Sequence, residues 1–280
     1  MFYIHILRVK CEGMPQGDFL REASDPVSVI VRSLESKPTA DVGRGSEWHI
    51  GNVEKIDKSG VGFAMGRTQA VTTPQFDLST HNFVEEEAMR APFTLGVFDK
   101  ETQSCGIIRK GGVSQSSSEI AGKLAKLLNS APYARESNYE IVVEPIPDPI
   151  DFISSVREAK AVIRFSFTVT WPNPHDVDRL IQGPAKEFTK EAGGEKTRVE
   201  VEGESLDKGL IEDVAKAVAA DGEQASASVR TGEGGPPKRV HLSGNPVVER
   251  VEPSPHESVF SSILDATKRA YHRVRGPVDL

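Results

Sequence analysis

Three stretches carry residue types at spacings that could do chemistry. The first is Pro147-Asp148 followed by Glu158-Ala159-Lys160. It matches a pattern of metal-dependent nucleases, in which two carboxylates hold a divalent ion and a lysine stands at the attacked phosphate. That chemistry needs the residues on adjoining strands. Here the stretch between them reads as a helix, with Asp148 at its N-cap and Lys160 at its exit. The second is Arg109-Lys110-Gly111-Gly112, running into Ser116-Ser117-Ser118 at a helix start. Free N–H groups, a helix dipole and two cations there could hold an anion. The lysine precedes the loop and no G-K-[ST] follows, so it is not a P-loop, and a plain helix cap after a flexible turn explains the same residues. The third is a run of cations near the end of the chain, Lys268, Arg269, His272, Arg273 and Arg275. On a helix, 268, 272 and 275 share one face and 269 and 273 the neighbouring one. Such a helix could dock by its apolar seam and offer cations to phosphates, although basic residues at a helix C-terminus also complement its dipole.

Other constellations are weaker. Gly60-x-Gly62-x-x-x-Gly66 has the wrong spacing for a dinucleotide fingerprint and lies inside a hairpin pattern, where glycines mark bulges or tight contacts. His81 near Glu85, Glu86 and Glu87 lacks the H-E-x-x-H order of a zinc protease and reads as a surface histidine. Neither Cys11 nor Cys105 has a nucleophile signature, and no G-x-S-x-G occurs. No catalytic residue, metal site or cofactor is expected.

The elements that must position these groups fall in two sets. The first half is strand-rich, with a strand over 2–9, a hairpin over 48–67, a second hairpin over 92–109, and a helix over 116–129 whose Ile120, Leu124, Leu127 and Leu128 share one face. The second half alternates strands and helices. Over 161–171, Ile163, Phe165, Phe167, Val169 and Trp171 point one way, and Arg164, Ser166, Thr168 and Thr170 the other. A helix opens at Asn173-Pro174 and carries Val177, Leu180, Ile181 and Phe188, with a kink at Pro184. Another spans 205–220 with Leu210, Ile211, Val214 and Val218 inward, and short strands follow over 225–230, 239–242 and 247–251. The last helix opens at Ser254-Pro255 and keeps Phe260, Ile263, Leu264, Thr267, Tyr271 and Val274 near a heptad seam. The expected fold is α+β. A β-rich region, 1–130, ends in a helix, and a mixed sheet with packed helices and the basic C-terminal helix fills 131–280.

Composition bounds the function. A chain of 280 residues with 38% apolar and 27% charged residues is that of a globular protein large enough to bury a core without staples. No apolar run approaches the roughly 20 residues that span a bilayer, and the first residues read as a strand, not a signal peptide. Two separated cysteines point to a reducing compartment, so a cytoplasmic location without membrane insertion is expected. The net charge of −7 argues against wholesale coating of nucleic acid but not against a local basic face. Charge is segregated: ten acidic and four basic residues lie between Glu191 and Glu223, whereas two acidic and four basic lie between Glu257 and Arg275.

The two hairpins, the helix after them, and the strand Tyr139-Glu140-Ile141-Val142-Val143-Glu144-Pro145-Ile146 resemble the RexA-type phage-exclusion proteins of lambdoid phages, and the chain is similar to bacterial families found among phage-defence genes. The resemblance covers about half of the chain and is one of architecture. It implies a cytoplasmic sensor that binds DNA as a homodimer and works with an effector protein. The leading expectation is therefore a non-enzymatic nucleic-acid-binding or sensing component of a phage-defence system. Two rivals stand beside it: a metal-dependent nuclease using Asp148, Glu158 and Lys160, and a protein-interaction module whose acidic stretch meets a basic partner.

Overall fold

The first strand sets the architecture, because both of its faces are covered. A computed structural model of the chain describes residues 1–12, 25–42, 47–113, 115–137, 139–170, 182–194, 196–232, 235–242, 244–254 and 256–276. In order come β1 (Phe2–Glu12), α1 (Pro26–Glu35), β2 (Thr39–Asp41), β3 (Glu47–Lys55), β4 (Gly60–Asp77), β5 (Asn82–Arg90), β6 (Phe93–Asp99) and β7 (Ser104–Ile108). Then follow α2 (Ser117–Ser130), α3 (Pro132–Ser137), β8 (Glu140–Pro145), α4 (Ile150–Glu158), β9 (Ala161–Thr170) and α5 (Gln182–Glu191). The chain continues with β10 (Lys196–Glu202), α6 (Lys208–Ala220), β11 (Ala225–Arg230), β12 (Lys238–His241), β13 (Val248–Val251) and α7 (Val259–Arg275). The class is α+β, as the sequence pattern predicts.

A nine-stranded antiparallel sheet runs β13-β1-β7-β6-β4-β3-β2, with β8 beside β1 and β5 beside β4. Residues 2–5 of β1 pair with β13 and residues 7–12 with β8, while β7 takes the opposite edge. The sheet thus draws strands from both sides of residue 130. Leu7, Val9 and Cys11 pack into one core with α1, α2 and Trp48. Ile4 and Ile6 point into a second core, built with α6, α7 and the inward side of a four-stranded sheet, β10-β9-β11-β12. A strand enclosed on both faces reads as a continuous apolar run. In β1 that run is broken by His5, Arg8 and Lys10, all buried.

Helix α7 lies close on the nine-stranded sheet, and glycines make the approach possible. A Cβ on Gly60 would stand 2.6 Å from the Leu264 side chain, one on Gly62 would stand 2.9 Å from the Phe260 ring, and one on Gly106 would overlap Thr267 Oγ1. The Gly60-x-Gly62 motif therefore serves close helix packing. Of the expected seam, Ile263, Leu264, Thr267, Tyr271 and Val274 are buried and Phe260 partly so, while the helix begins at its N-cap Ser258, four residues later than the Ser-Pro signal suggests.

Several other details depart from the sequence pattern. Strand β4 continues past the expected hairpin to Asp77 and pairs with β5 from Gln69↔Arg90 to Asp77↔Asn82, forming a two-stranded ribbon. Its tip carries the exposed pair Phe76 and Phe83, ring centroids 5.1 Å apart, and Leu78. In β9, Phe165, Phe167 and Val169 are buried as predicted, but Val162 replaces Ile163 on the inward side. The pairing with β11 jumps from Ser228↔Arg164 to Val229↔Val162, and such a bulge reverses the faces beyond it. Trp171 and the helix start at 173–181 lie outside the described residues. Phe188 on α5 and Leu210 on α6 are exposed, because no layer of the described residues covers those faces. Asp148 is not the N-cap of α4. That position is Pro149, and Asp148 accepts a hydrogen bond from the Ile150 N–H at 3.1 Å from one residue earlier.

Part of the acidic stretch turns inward and joins the two layers. Helix α6 ends in a Schellman motif: the Gly222 and Glu223 N–H groups donate to Ala219 and Val218, with Gly222 at φ +70°. The residues flanking that glycine face β1. Asp221 meets the Arg8 guanidinium at 3.2 Å, and Glu223 accepts from Lys10 Nζ at 2.9 Å. Arg8 also donates to the Thr102 carbonyl and lies 5.4 Å over the Tyr271 ring. Glu144 and Glu12 complete the Lys10 shell at 3.1 and 3.3 Å. Burial alone would lower the Lys10 pKa, but Glu223, Glu144 and Glu12 outweigh it and hold the ammonium above the ordinary lysine value. Removing one partner of a buried pair costs about 3–5 kcal/mol, and replacing both costs far less. Urea unfolding of Arg8→Leu should therefore show a loss of about 3–5 kcal/mol, and Asp221→Leu in the same chain should recover part of it. Equal stability of Arg8→Leu and the native chain would rule out the clamp.

Candidate nucleic-acid interface

Two of the cations at the end of the chain, Lys268 and Arg273, are held by intramolecular acids. The N-cap Ser258 accepts from the Ser261 N–H, and the buried face of α7 turns the basic residues outward. Lys268 Nζ donates to Ser59 Oγ at 2.8 Å and Glu101 at 3.1 Å, with Asp99 at 3.6 Å. Partial burial works against its charge, but Glu101, Asp99 and Asp57 raise its pKa. Arg273 pairs with Glu249 at 2.7 Å. Arg269 and His272 are exposed, and Arg275 is half-buried in the last turn. Glu249 and Asp265 share the groove with Lys268, Arg269, His272 and Arg273, so this surface is mixed in sign.

At the loop before α2, each expected anion ligand has its own structural engagement. Ser116 is the N-cap and accepts from the Glu119 N–H at 3.4 Å, while Ser117 is buried. Lys110 Nζ lies 5.0 Å over the Phe93 ring. Arg109 is exposed, and its backbone N–H donates to Tyr3 at 2.8 Å. Of the nuclease trio, Asp148 precedes α4, Glu158 ends it and Lys160 follows it. Glu158 accepts from Ser154 Oγ at 2.8 Å at the far end of α4 from Asp148, a helix whose 9 residues span about 14 Å at 1.5 Å per residue. Among the described residues, no group of three or more His, Cys, Asp or Glu is arranged to hold a metal ion. His81 sits in the ribbon turn at φ 55° with its ring edge-on to Phe76.

The open face of the four-stranded sheet gathers a set of polar groups that no contiguous motif announces. Alternation turns Arg164, Ser166 and Thr168 of β9 away from the core that Phe165 and Phe167 enter. Register then builds rows across the sheet: Glu200, Ser166, Ser226 and His241 in one, and Glu202, Arg164, Ser228 and Arg239 in the next, with Arg198 beside Thr168. Arg164 pairs with Glu202, and Arg198 with Glu200 at 3.4 Å. Ser166 and Ser226 are buried with their hydroxyls 3.0 Å apart. Arg198 donates to Ser166 at 3.1 Å and Arg239 to Ser226 at 3.2 Å. Among the described residues no carboxylate lies within ion-pair distance of Arg239. A hollow of about 160 Å³ opens over the two serines, lined also by Thr168, Gln224 and His241 and, among the described residues, by no acidic side chain.

The sequence pattern identifies the outward side of β9 but not Arg198, Ser226, Arg239 or His241. These come together only through the pairing of four strands whose order a single sequence does not reveal. No protein-family model and no curated protein matches the chain. Among the described residues, no helix is long and apolar enough to cross a membrane.

Both thiols lie in the core. Burial and the nearby Asp25 push the Cys11 thiol up to about 12, and burial pushes Cys105 higher still. Thiolate is the reactive form, so neither cysteine should react with Ellman's reagent at pH 8 until the chain unfolds. Fast release of one equivalent from the folded protein would contradict this burial.

Proposed function

We propose that the chain is a non-enzymatic nucleic-acid-binding protein that meets phosphates with the open face of its four-stranded sheet. The carrying observation is the convergence of Arg198 and Arg239 on the Ser166–Ser226 pair, with His241 in the same lining. Guanidinium forks match phosphate oxygens in pairs, and a local cluster of donors can serve a chain whose net charge is −7. Arg269 and His272 on α7 offer further exposed donors. The placement of Asp148 at one end of α4 and of Glu158 and Lys160 at the other disfavours the nuclease alternative. On this reading the chain senses nucleic acid in a phage-defence setting, as a homodimer working with an effector protein, which is what its resemblance to phage-exclusion proteins implies.

Fluorescence anisotropy with labelled single- and double-stranded DNA and RNA, with and without Mg²⁺, tests the proposal. Binding should need no metal and should weaken with salt, and the log–log slope should fall by roughly one unit for each phosphate that a variant no longer neutralises. Arg198→Ala with Arg239→Ala should weaken all sequences alike, whereas Asp148→Ala and Glu158→Ala should leave binding intact. The Asp148 change should cost only about 1 kcal/mol of stability, the worth of its hydrogen bond to the Ile150 N–H. Titration stoichiometry reads the dimer as two chains per bound duplex. Indifference to every nucleic acid, or metal-dependent cutting abolished by Asp148→Ala in a folded chain, would overturn the proposal.

A further inference from the structure

We propose that the hollow over Ser166 and Ser226 is a site for the terminal phosphate monoester of a nucleic acid, an assignment that rests on the nucleic-acid reading above. Its floor is built and rigid: both serines are more than nine-tenths buried, and each hydroxyl accepts a guanidinium N–H. The two hydroxyls share one hydrogen bond, so one proton serves that bond and the other is left to donate outward. Arg198 and Arg239 bond to this floor through one Nη2 atom each, the Arg198 Nη2 also reaching Glu200 at 3.4 Å, and each guanidinium carries further N–H donors for an occupant. Glu200 offsets part of the Arg198 charge, whereas Arg239 has no carboxylate within ion-pair distance among the described residues.

Size and lining select the ligand group. The hollow, about 160 Å³, takes one tetrahedral anion with a few waters, each of which occupies about 30 Å³. Among the described residues, the one aromatic residue of the lining besides His241 is Phe167, which is buried in the core on the other side of β9, so these residues offer no phenyl or indole ring on which a base could stack. Two guanidinium groups and one hydroxyl provide three sources of donors, which match the three terminal oxygens of a monoester. A backbone diester has two non-bridging oxygens, and its ester bonds would have to cross the hollow in both directions. A monoester also carries between about 1.5 and 2 negative charges at neutral pH, against one for a diester.

The test compares the same short single-stranded oligonucleotide with a 5′-phosphate and with a 5′-hydroxyl, titrated calorimetrically against the full chain, with inorganic phosphate and a phosphoserine peptide as further probes. A 5′-phosphate should tighten binding about tenfold or more, the range of a charged hydrogen-bond set. Arg239→Gln and Ser226→Ala should each bring the two affinities together, and far-UV circular dichroism should show both variants folded. Equal affinity of the native chain for the two oligonucleotides overturns the monoester site while leaving the nucleic-acid reading in place. If neither oligonucleotide binds but inorganic phosphate does, in an Arg239-dependent way, the nucleic-acid reading fails and the anion hollow stands without it. Tighter binding of the phosphoserine peptide than of the phosphorylated oligonucleotide overturns the assignment to a nucleic-acid end.

Discussion

Two cations on an interior strand constrain the whole molecule. Arg8 and Lys10 stand on β1 where a strand covered on both faces would otherwise be apolar, and a buried charge without a partner would cost more than the fold can absorb. Each is met by a carboxylate from the turn after α6, with the Thr102 carbonyl, the Tyr271 ring, Glu144 and Glu12 as further partners. The partners come from β1 itself, the β6–β7 turn, β8, the α6 turn and α7. One cluster thus gathers segments from both ends and the middle of the chain. Such a network specifies which surfaces meet, because another packing of the layers would strand these charges.

The clamp also fixes the candidate interface. Glu223 lies three residues before Ser226, so anchoring it to Lys10 sets where β11 begins and which residues stand across from Ser166 on β9. The alternation of β9 then decides which side chains leave the core: Phe165 and Phe167 go inward, Ser166 and Thr168 outward. The outward serines are small, so the strands bearing Arg198 and Arg239 can place their guanidinium groups over them instead of being held away by bulk.

Legibility in the sequence follows the range of the physics. Elements with strong local patterns are readable: both hairpins, α2 with Ser116 at its cap, the alternation of β9 and the buried seam of α7. Ile163 departs from its pattern because a bulge is a pairing event with β11 and leaves no mark in the period of β9. The ribbon extension escapes the pattern because it is largely exposed on both sides and its apolar residues, Val71, Phe76, Phe83, Val84 and Met89, fall on both of them, so no alternation announces it. Asp221 and Glu223 read as part of a solvated acidic run, since nothing local distinguishes them from the exposed glutamates of β10. The candidate site is the least legible part. The cations at the end of the chain are visible as a cluster in sequence, whereas Arg198 and Arg239 lie on separate strands and meet only through β9 and β11.

On the function proposed, nucleic acid meets the outward side of the four-stranded sheet. Hydrogen–deuterium exchange of the full chain, with and without a saturating oligonucleotide, reads this directly. Exchange should slow in β9, β10, β11 and β12, with α4 and the ribbon formed by β4 and β5 unchanged. Protection confined to α7 or to the ribbon, with the four strands unaffected, would contradict the claim.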